Sequence, residues 1–174
     1  NNRGLIDGLE TIIETVTLNN LGTGRIYGDH VAIQATTVTN DAENGAAPVI
    51  AARNRLDIGA DTINNREHAL LFSAGDLAIS GSLDASKRAT GSATNLNNAN
   101  ATIEALGSVD INARQINNTN EYFSTTVDTL PSQGISEYQG SGSPNRYTPG
   151  TPGVYVYNDE SDHLHTPEGN YASW

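Results

Sequence analysis

The chain has no cysteine and no methionine, one tryptophan, two phenylalanines, and only nine lysines and arginines against twenty aspartates and glutamates. Each shortage excludes something. Without cysteine there is no disulfide framework and no thiolate zinc site. A formal net charge of −11 leaves no basic surface to displace counterions from phosphates, so nucleic acid is not a partner. No basic membrane-surface patch is present, and no apolar run approaches the roughly 18 residues of a membrane span. Charged residues are 17% of the chain, where about a quarter is usual. Asn, Thr, Ser and Gly fill the gap. That mixture disfavours helices and suits short strands joined by tight turns. The absence of thiols is compatible with export through an oxidising compartment. With no signal peptide and no initiating methionine, the chain reads as an interior piece of something longer.

A repeat is present, carried by a four-point register of apolar residues. The second coil carries Ile26, Val31, Ile33 and Val38, and the third carries Ile50, Leu56, Ile58 and Ile63. The fourth is read as Phe72, Leu77, Ile79 and Leu83, and the fifth as Ile103, Val109, Ile111 and Ile116. A first coil is partly legible in Ile6, Ile13 and Leu18. The coil length, measured at the third point, runs 25, 21 and 32 residues, and the variation sits in polar connections. A register that persists while loops change length is the behaviour of a solenoid.

Each point lies in an alternating run, such as Val31-Ala32-Ile33-Gln34-Ala35 or Val109-Asp110-Ile111-Asn112-Ala113. Period two puts Val31, Ile33 and Ala35 on one face of a strand. The spacing predicts an all-β fold: a right-handed, three-sided parallel β-helix over 1–120, with a long protruding insertion at 85–100. Asn follows the fourth point in Leu18-Asn19-Asn20, Val38-Thr39-Asn40, Ile63-Asn64-Asn65 and Ile116-Asn117-Asn118, with Asp84 read in its place in the fourth coil. Stacked coils set these side chains about 4.8 Å apart, where amide ladders form. Open ends of such a stack are edges that adjoining coils of the same parent chain would cover.

The segments Gly24-Arg25-Ile26-Tyr27-Gly28-Asp29-His30-Val31-Ala32-Ile33, Leu56-Asp57-Ile58-Gly59-Ala60 and Val109-Asp110-Ile111-Asn112-Ala113-Arg114-Gln115-Ile116-Asn117-Asn118 resemble repeats of filamentous haemagglutinin-type exoproteins. The resemblance covers about residues 4 to 123. It implies a long β-helical filament of an adhesin or a contact-dependent growth inhibition protein, secreted to the bacterial cell surface. It also implies an outer-membrane two-partner secretion transporter as the partner during export. It does not separate an adhesin from a toxin-delivery stalk, because both use these repeats.

Beyond residue 120 the composition changes. Residues 121–174 hold five of the six prolines, six of the seven tyrosines and the tryptophan, and read as an irregular Tyr/Pro/Gly-rich capping or transition segment. Val154-Tyr155-Val156-Tyr157 reads as one strand with its tyrosines on one face. Two readings of this tail compete: its aromatics are buried, or Tyr138, Tyr147, Tyr155, Tyr157, Tyr171 and Trp174 contact a cell-surface receptor or glycan, since such residues suit interfaces.

Chemistry leaves a weaker trace. Parallel β-helices also host polysaccharide-active enzymes, whose sites need carboxylates with Arg, Lys or His on adjacent coils of one face. Asp57 and Asp110 hold equivalent outward positions, but Ala32 and Ala78 occupy the others, and no Arg or Lys is seen to keep register beside them. Asp159-Glu160-Ser161-Asp162-His163-Leu164-His165 is the densest set of metal-ligand types, yet it matches no ligand spacing. His30 and His68 are isolated, and no serine sits in a nucleophile elbow. The sequence therefore predicts no catalytic residue, metal site or cofactor.

Overall fold

The computed structural model describes residues 1–128, 137–157 and 164–173. Two compact units divide between Ser124 and Thr125. Strands in the first are β1 (Leu5–Glu14), β2 (Thr17–Leu21), β3 (Arg25–Asp41), β4 (Val49–Arg66), β5 (Leu70–Ser73), β6 (Asp76–Ser80), β7 (Ser82–Leu83), β8 (Ala89–Thr90), β9 (Ala93–Ala99), β10 (Thr102–Ala105), β11 (Val109–Ile111) and β12 (Ala113–Thr119). Apart from the antiparallel β7–β8 hairpin, all of them pair in parallel. There is no helix among the described residues. The unit is a parallel β-solenoid of five coils with three ladders.

The register sets the core. Ile6, Ile26, Ile50, Leu71 and Ile103 stack in the first ladder. Ile13, Ile33, Ile58, Ile79 and Ile111 stack in the second. Leu18, Val38, Ile63, Leu96 and Ile116 stack in the third. In the three middle coils these side chains are buried, at 1% exposure or less. In β1 and β12, which have a partner on one side only, the ladder residues Ile6 and Ile116 stand exposed. Burial therefore grows toward the middle of the stack, because no coil can cover its own inner face.

Two anchors differ from the sequence reading. Leu71, not Phe72, is the inward residue of the fourth coil, and Phe72 points outward, half-buried. Leu96, not Leu83, is its fourth point. Spacing alone favours Leu83, but the chain leaves the coil at Gly81, forms the β7–β8 hairpin and re-enters at β9. The insertion thus ends before Ala93, and residues 93–99 are coil rather than part of an 85–100 loop. Asp84 accordingly has no place in the asparagine row; Asn98 takes it.

That row is a continuous hydrogen-bonded ladder. Each amide nitrogen donates to the next amide oxygen: Asn2 to Asn20 (2.8 Å), Asn20 to Asn40 (2.8 Å), Asn40 to Asn65 (2.9 Å), Asn65 to Asn98 (2.8 Å) and Asn98 to Asn118 (2.8 Å). Nitrogens in the row also donate to main-chain carbonyls beyond the turn: Asn40 to Leu70 (3.1 Å), Asn65 to Thr102 (2.9 Å) and Asn98 to Ala101 (2.9 Å). The turns between coils contain left-handed residues, including Gly22, Asn44, Gly45, Glu67, His68 and Asn100. The amide's two donors let one side chain hold both the neighbouring coil and the exit of such a turn.

The second unit, described by itself, carries the antiparallel sheet of β13 (Tyr155–Val156), β14 (Leu164–Thr166) and β15 (Gly169–Tyr171). An antiparallel bridge joins Tyr138 and Tyr147.

Candidate functional site

Asp57 occupies an outward position on β4, between Ala32 of β3 and Ala78 of β6. An outward aspartate is ordinarily solvated, yet its side chain is wholly covered. The cover is the β7–β8 hairpin. Instead of protruding, as its sequence suggests, the hairpin lies back across the coil face. The Leu83 N–H donates to Gln34 Oε1 of β3 at 2.6 Å, and Lys87 reaches Glu14 of β1. Gly59 of β4 permits this closeness, since a Cβ there would sit 2.3 Å from the Ser82 carbonyl carbon. The alanines beside Asp57 are buried as well, at 0% and 5% exposure.

Five donors meet the two Asp57 oxygens. Arg55 donates from Nε to Oδ2 (2.8 Å) and from its Nη2 to Oδ1 (3.2 Å). His30 Nε2 lies 3.0 Å from Oδ2, and Arg88 donates to Oδ2 at 3.4 Å. The Ala89 main-chain N–H donates to Oδ1 at 2.9 Å. Behind them, His30 Nδ1 lies 3.1 Å from Glu10, and Arg55 reaches Asp76 at 3.4 Å. The register brings His30, Arg55 and Asp76 to one rung position, two residues before Asp57 on the same face. The sequence reading that no Arg or Lys stands beside Asp57 is therefore corrected: Arg55 does so from its own strand, and Arg88 from the hairpin.

A carboxylate has about four lone-pair sites, and here protein donors take them all. The arrangement works as an ionic clasp that joins β3, β4 and the hairpin. Burial pushes the Asp57 carboxyl up, but the hydrogen bonds from Arg55 and the Ala89 N–H, with the Arg55 charge and His30, outweigh it and hold it below its ordinary value. A depressed folded-state value stabilises the clasp above the ordinary carboxylate range, and the contribution is lost as pH falls through the folded value. Hydrogen-exchange protection of the Ala89 amide should thus be full above the ordinary aspartate range and weaken progressively as pH falls from that range toward the lower folded-state value. Loss of protection above the ordinary range would contradict the clasp.

Of the six aromatics singled out in the tail, the five described residues are placed differently. Tyr155 and Tyr157 come together around His165: Tyr155 stacks on it at 5.9 Å between ring centroids, and Tyr157 meets it edge-on at 6.4 Å. Both tyrosines are exposed, at 57% and 49%. Tyr138 and Tyr147 pair main chain to main chain and are half-buried. Burial and the nearby Glu168 raise the Tyr147 hydroxyl above its ordinary value. The Tyr171 ring packs on Gly140, where a Cβ would lie 2.3 Å from the ring. Trp174 lies outside the described residues, as do Asp159, Glu160, Ser161, Asp162 and His163 of the acidic stretch. Of that stretch, His165 is placed by its ring contacts and by a hydrogen bond from Nδ1 to Asn170. Among the described residues no group of three or more His, Asp or Glu is placed to hold a metal ion.

The class this fold defines is the parallel β-solenoid, a repeat protein stabilised coil on coil. No family model matches the chain, and neither a curated protein nor a solved structure was found to match it.

Proposed function

We propose that this chain is a structural, adhesive filament segment of a large secreted bacterial surface exoprotein of the filamentous haemagglutinin type. It acts by length and stiffness rather than by catalysis, and holds a receptor-binding or toxic activity away from the cell. The observation that carries this reading is the six-membered asparagine ladder, which ties every coil to the next along the stack. The segments that resemble haemagglutinin repeats lie on equivalent strands: Gly24 to Ile33 leads through β3, Leu56 to Ala60 lies in β4, and Val109 to Asn118 runs through β11 and β12. The exposed apolar side chains at both edge coils fit adjoining coils of the same parent chain. Export by an outer-membrane two-partner secretion transporter belongs to this proposal. The closed Asp57 centre supports a non-catalytic role, since a glycan has no path to its oxygens while the hairpin is seated.

A second reading has a specific observation behind it. Tyr155 and Tyr157, exposed around His165, have the composition of a contact surface for a receptor or glycan. Binding of the chain to whole bacterial and epithelial cells, beside a Tyr155→Ser/Tyr157→Ser variant, separates the two. The spacer reading expects no saturable binding that depends on Tyr155 and Tyr157. Saturable binding lost in the variant would replace it with the binding reading.

A further inference from the structure

The outward face of the first ladder carries one line of residues through five coils: Asp7, Tyr27, Ala51, Phe72 and Glu104. Read along the stack, that is carboxylate, aromatic ring, methyl group, aromatic ring, carboxylate. Tyr27 and Phe72 bound a notch of about 270 Å³, with Ala51, Ala52 and Gly28 as its floor and Arg53 at its side. Neither ring is needed by the core. Ile26 and Leu71 already fill the inward positions beside them, and both rings are half-exposed.

The spacing is selective. Adjacent strands lie about 4.8 Å apart, so rings two rungs apart are separated by roughly 9.6 Å at their backbones. One flat ring held between two others needs about 3.5–4.0 Å of contact distance on each face, roughly 7–8 Å in all. The notch therefore takes one ring and no more. It is also smaller than the roughly 300–1,000 Å³ of a pocket for a drug-sized ligand.

The rim selects among single-ring ligands, puckered ones included, because roughly 9.6 Å exceeds the roughly 7–8 Å that a flat ring needs. Asp7 and Glu104, both exposed, stand at the two ends of the line and offer acceptors beyond each ring. Arg53, held to Asp7 at 3.0 Å and to Asp29 at 3.1 Å, presents a fixed guanidinium at the side. A purely aromatic ligand would leave these groups unused. A cation would meet Arg53, and an anion would meet Asp7 and Glu104. A pyranose ring has C–H groups for the negative faces of two aromatic rings and hydroxyls around its edge for the carboxylates and the guanidinium.

The geometry points to a sugar-binding site here, in which one neutral hexopyranose unit of a glycan seats between Tyr27 and Phe72. This site lies on the solenoid and is distinct from the tyrosines of the second unit. It does not rest on the filament reading.

The test is titration of the whole chain with three neutral probes, maltohexaose, cellohexaose and chitohexaose, followed by isothermal calorimetry and by amide chemical shifts. Choline and a heparin hexasaccharide serve as cationic and anionic comparisons. At least one neutral probe should bind and shift the amides of Tyr27, Ala51 and Phe72. Phe72→Ala should weaken that binding about tenfold or more. Ala51→Leu, which keeps both rings but fills the floor, should weaken it as much, with thermal unfolding of both variants close to that of the parent. The proposal is overturned if no neutral probe binds, if choline or heparin binds there in preference, or if binding survives Ala51→Leu. Loss of binding in Tyr155→Ser/Tyr157→Ser but not in Phe72→Ala would also overturn it and move recognition to the second unit.

Discussion

Asn65→Ala is expected to lower the unfolding free energy by roughly 3–5 kcal/mol, counting about 1–3 kcal/mol for each buried polar group left without its partner. Asn65 is fully buried in the middle of the ladder. Alanine removes the acceptor for Asn40 (2.9 Å), the donor to Asn98 (2.8 Å) and the donor to the Thr102 carbonyl (2.9 Å). Asn40 keeps its bond to Leu70, so one of its hydrogens is orphaned along with the Asn98 oxygen. Asn64→Ala is the matched comparison. It cuts a single amide bond, from Asn97 at 2.9 Å, on the half-exposed outer side, and should cost under about 1.5 kcal/mol. Asn65→Asp should be worse than alanine at neutral pH, since a carboxylate would face the Asn98 and Thr102 oxygens with no hydrogen to donate. Urea midpoints with an unchanged slope would report these differences as stability. Equal costs at Asn64 and Asn65 would mean that the inner row does not close the turns.

The same row measures how far the sequence could be read. Three coils show the apolar residue and the Asn pair side by side, in Leu18-Asn19-Asn20, Ile63-Asn64-Asn65 and Ile116-Asn117-Asn118. Leu96-Asn97-Asn98 repeats that signature, so the true return point of the fourth coil was legible. Constant spacing favoured Leu83 over this chemical signature because spacing treats a corner as fixed in length, whereas a solenoid corner admits a hairpin at little cost to the ladders. Leu70-Leu71-Phe72 is a different case. Three successive apolar residues leave the inward position undetermined by period two, and only pairing with Ile50 selects Leu71. The clasp was least legible. Arg88 lies 31 residues from Asp57, and nothing in the sequence says that the hairpin folds back over β4 rather than away from it. Gly59 is the one local mark. A glycine in the interior of a strand signals a close backbone approach, and its neighbour Asp57 then has to be read as covered.

Asp57→Ala is expected to release the hairpin and to destabilise the solenoid by about 2–4 kcal/mol. Removing one partner of a buried ion pair costs roughly 3–5 kcal/mol when the other charge is left without water. Here the partners are unequal. Arg88 and Arg55 have side chains 48% and 28% exposed and can rehydrate, which discounts their share, whereas His30 at 13% and the Ala89 amide have less access to water. Asp57→Asn keeps the shape and one acceptor oxygen but sets an NH₂ group against donors, so it should lose most of the same stability. Because the hairpin is held at several points, two readouts divide the effect. Hydrogen exchange at Leu83, whose N–H donates to Gln34, and at Asp84, whose N–H donates to the Arg88 carbonyl, follows the hairpin, since Asp57→Ala removes neither acceptor, while exchange at Ile58 and Ile79 follows the coils. Loss of protection at the first pair alone would show that the clasp fastens the hairpin to an independently stable stack. Loss at both would make the hairpin part of the cooperative unit, with Asp57 bonding β3, β4 and the hairpin as one body. Gly59→Ala offers the complementary perturbation, since its Cβ would collide with the Ser82 backbone at 2.3 Å and lift the hairpin while leaving every charge in place. If Gly59→Ala frees Leu83 as fully as Asp57→Ala does, steric fit and the ion cluster are jointly required to seat the hairpin, and the buried carboxylate acts as a fastening for the loop.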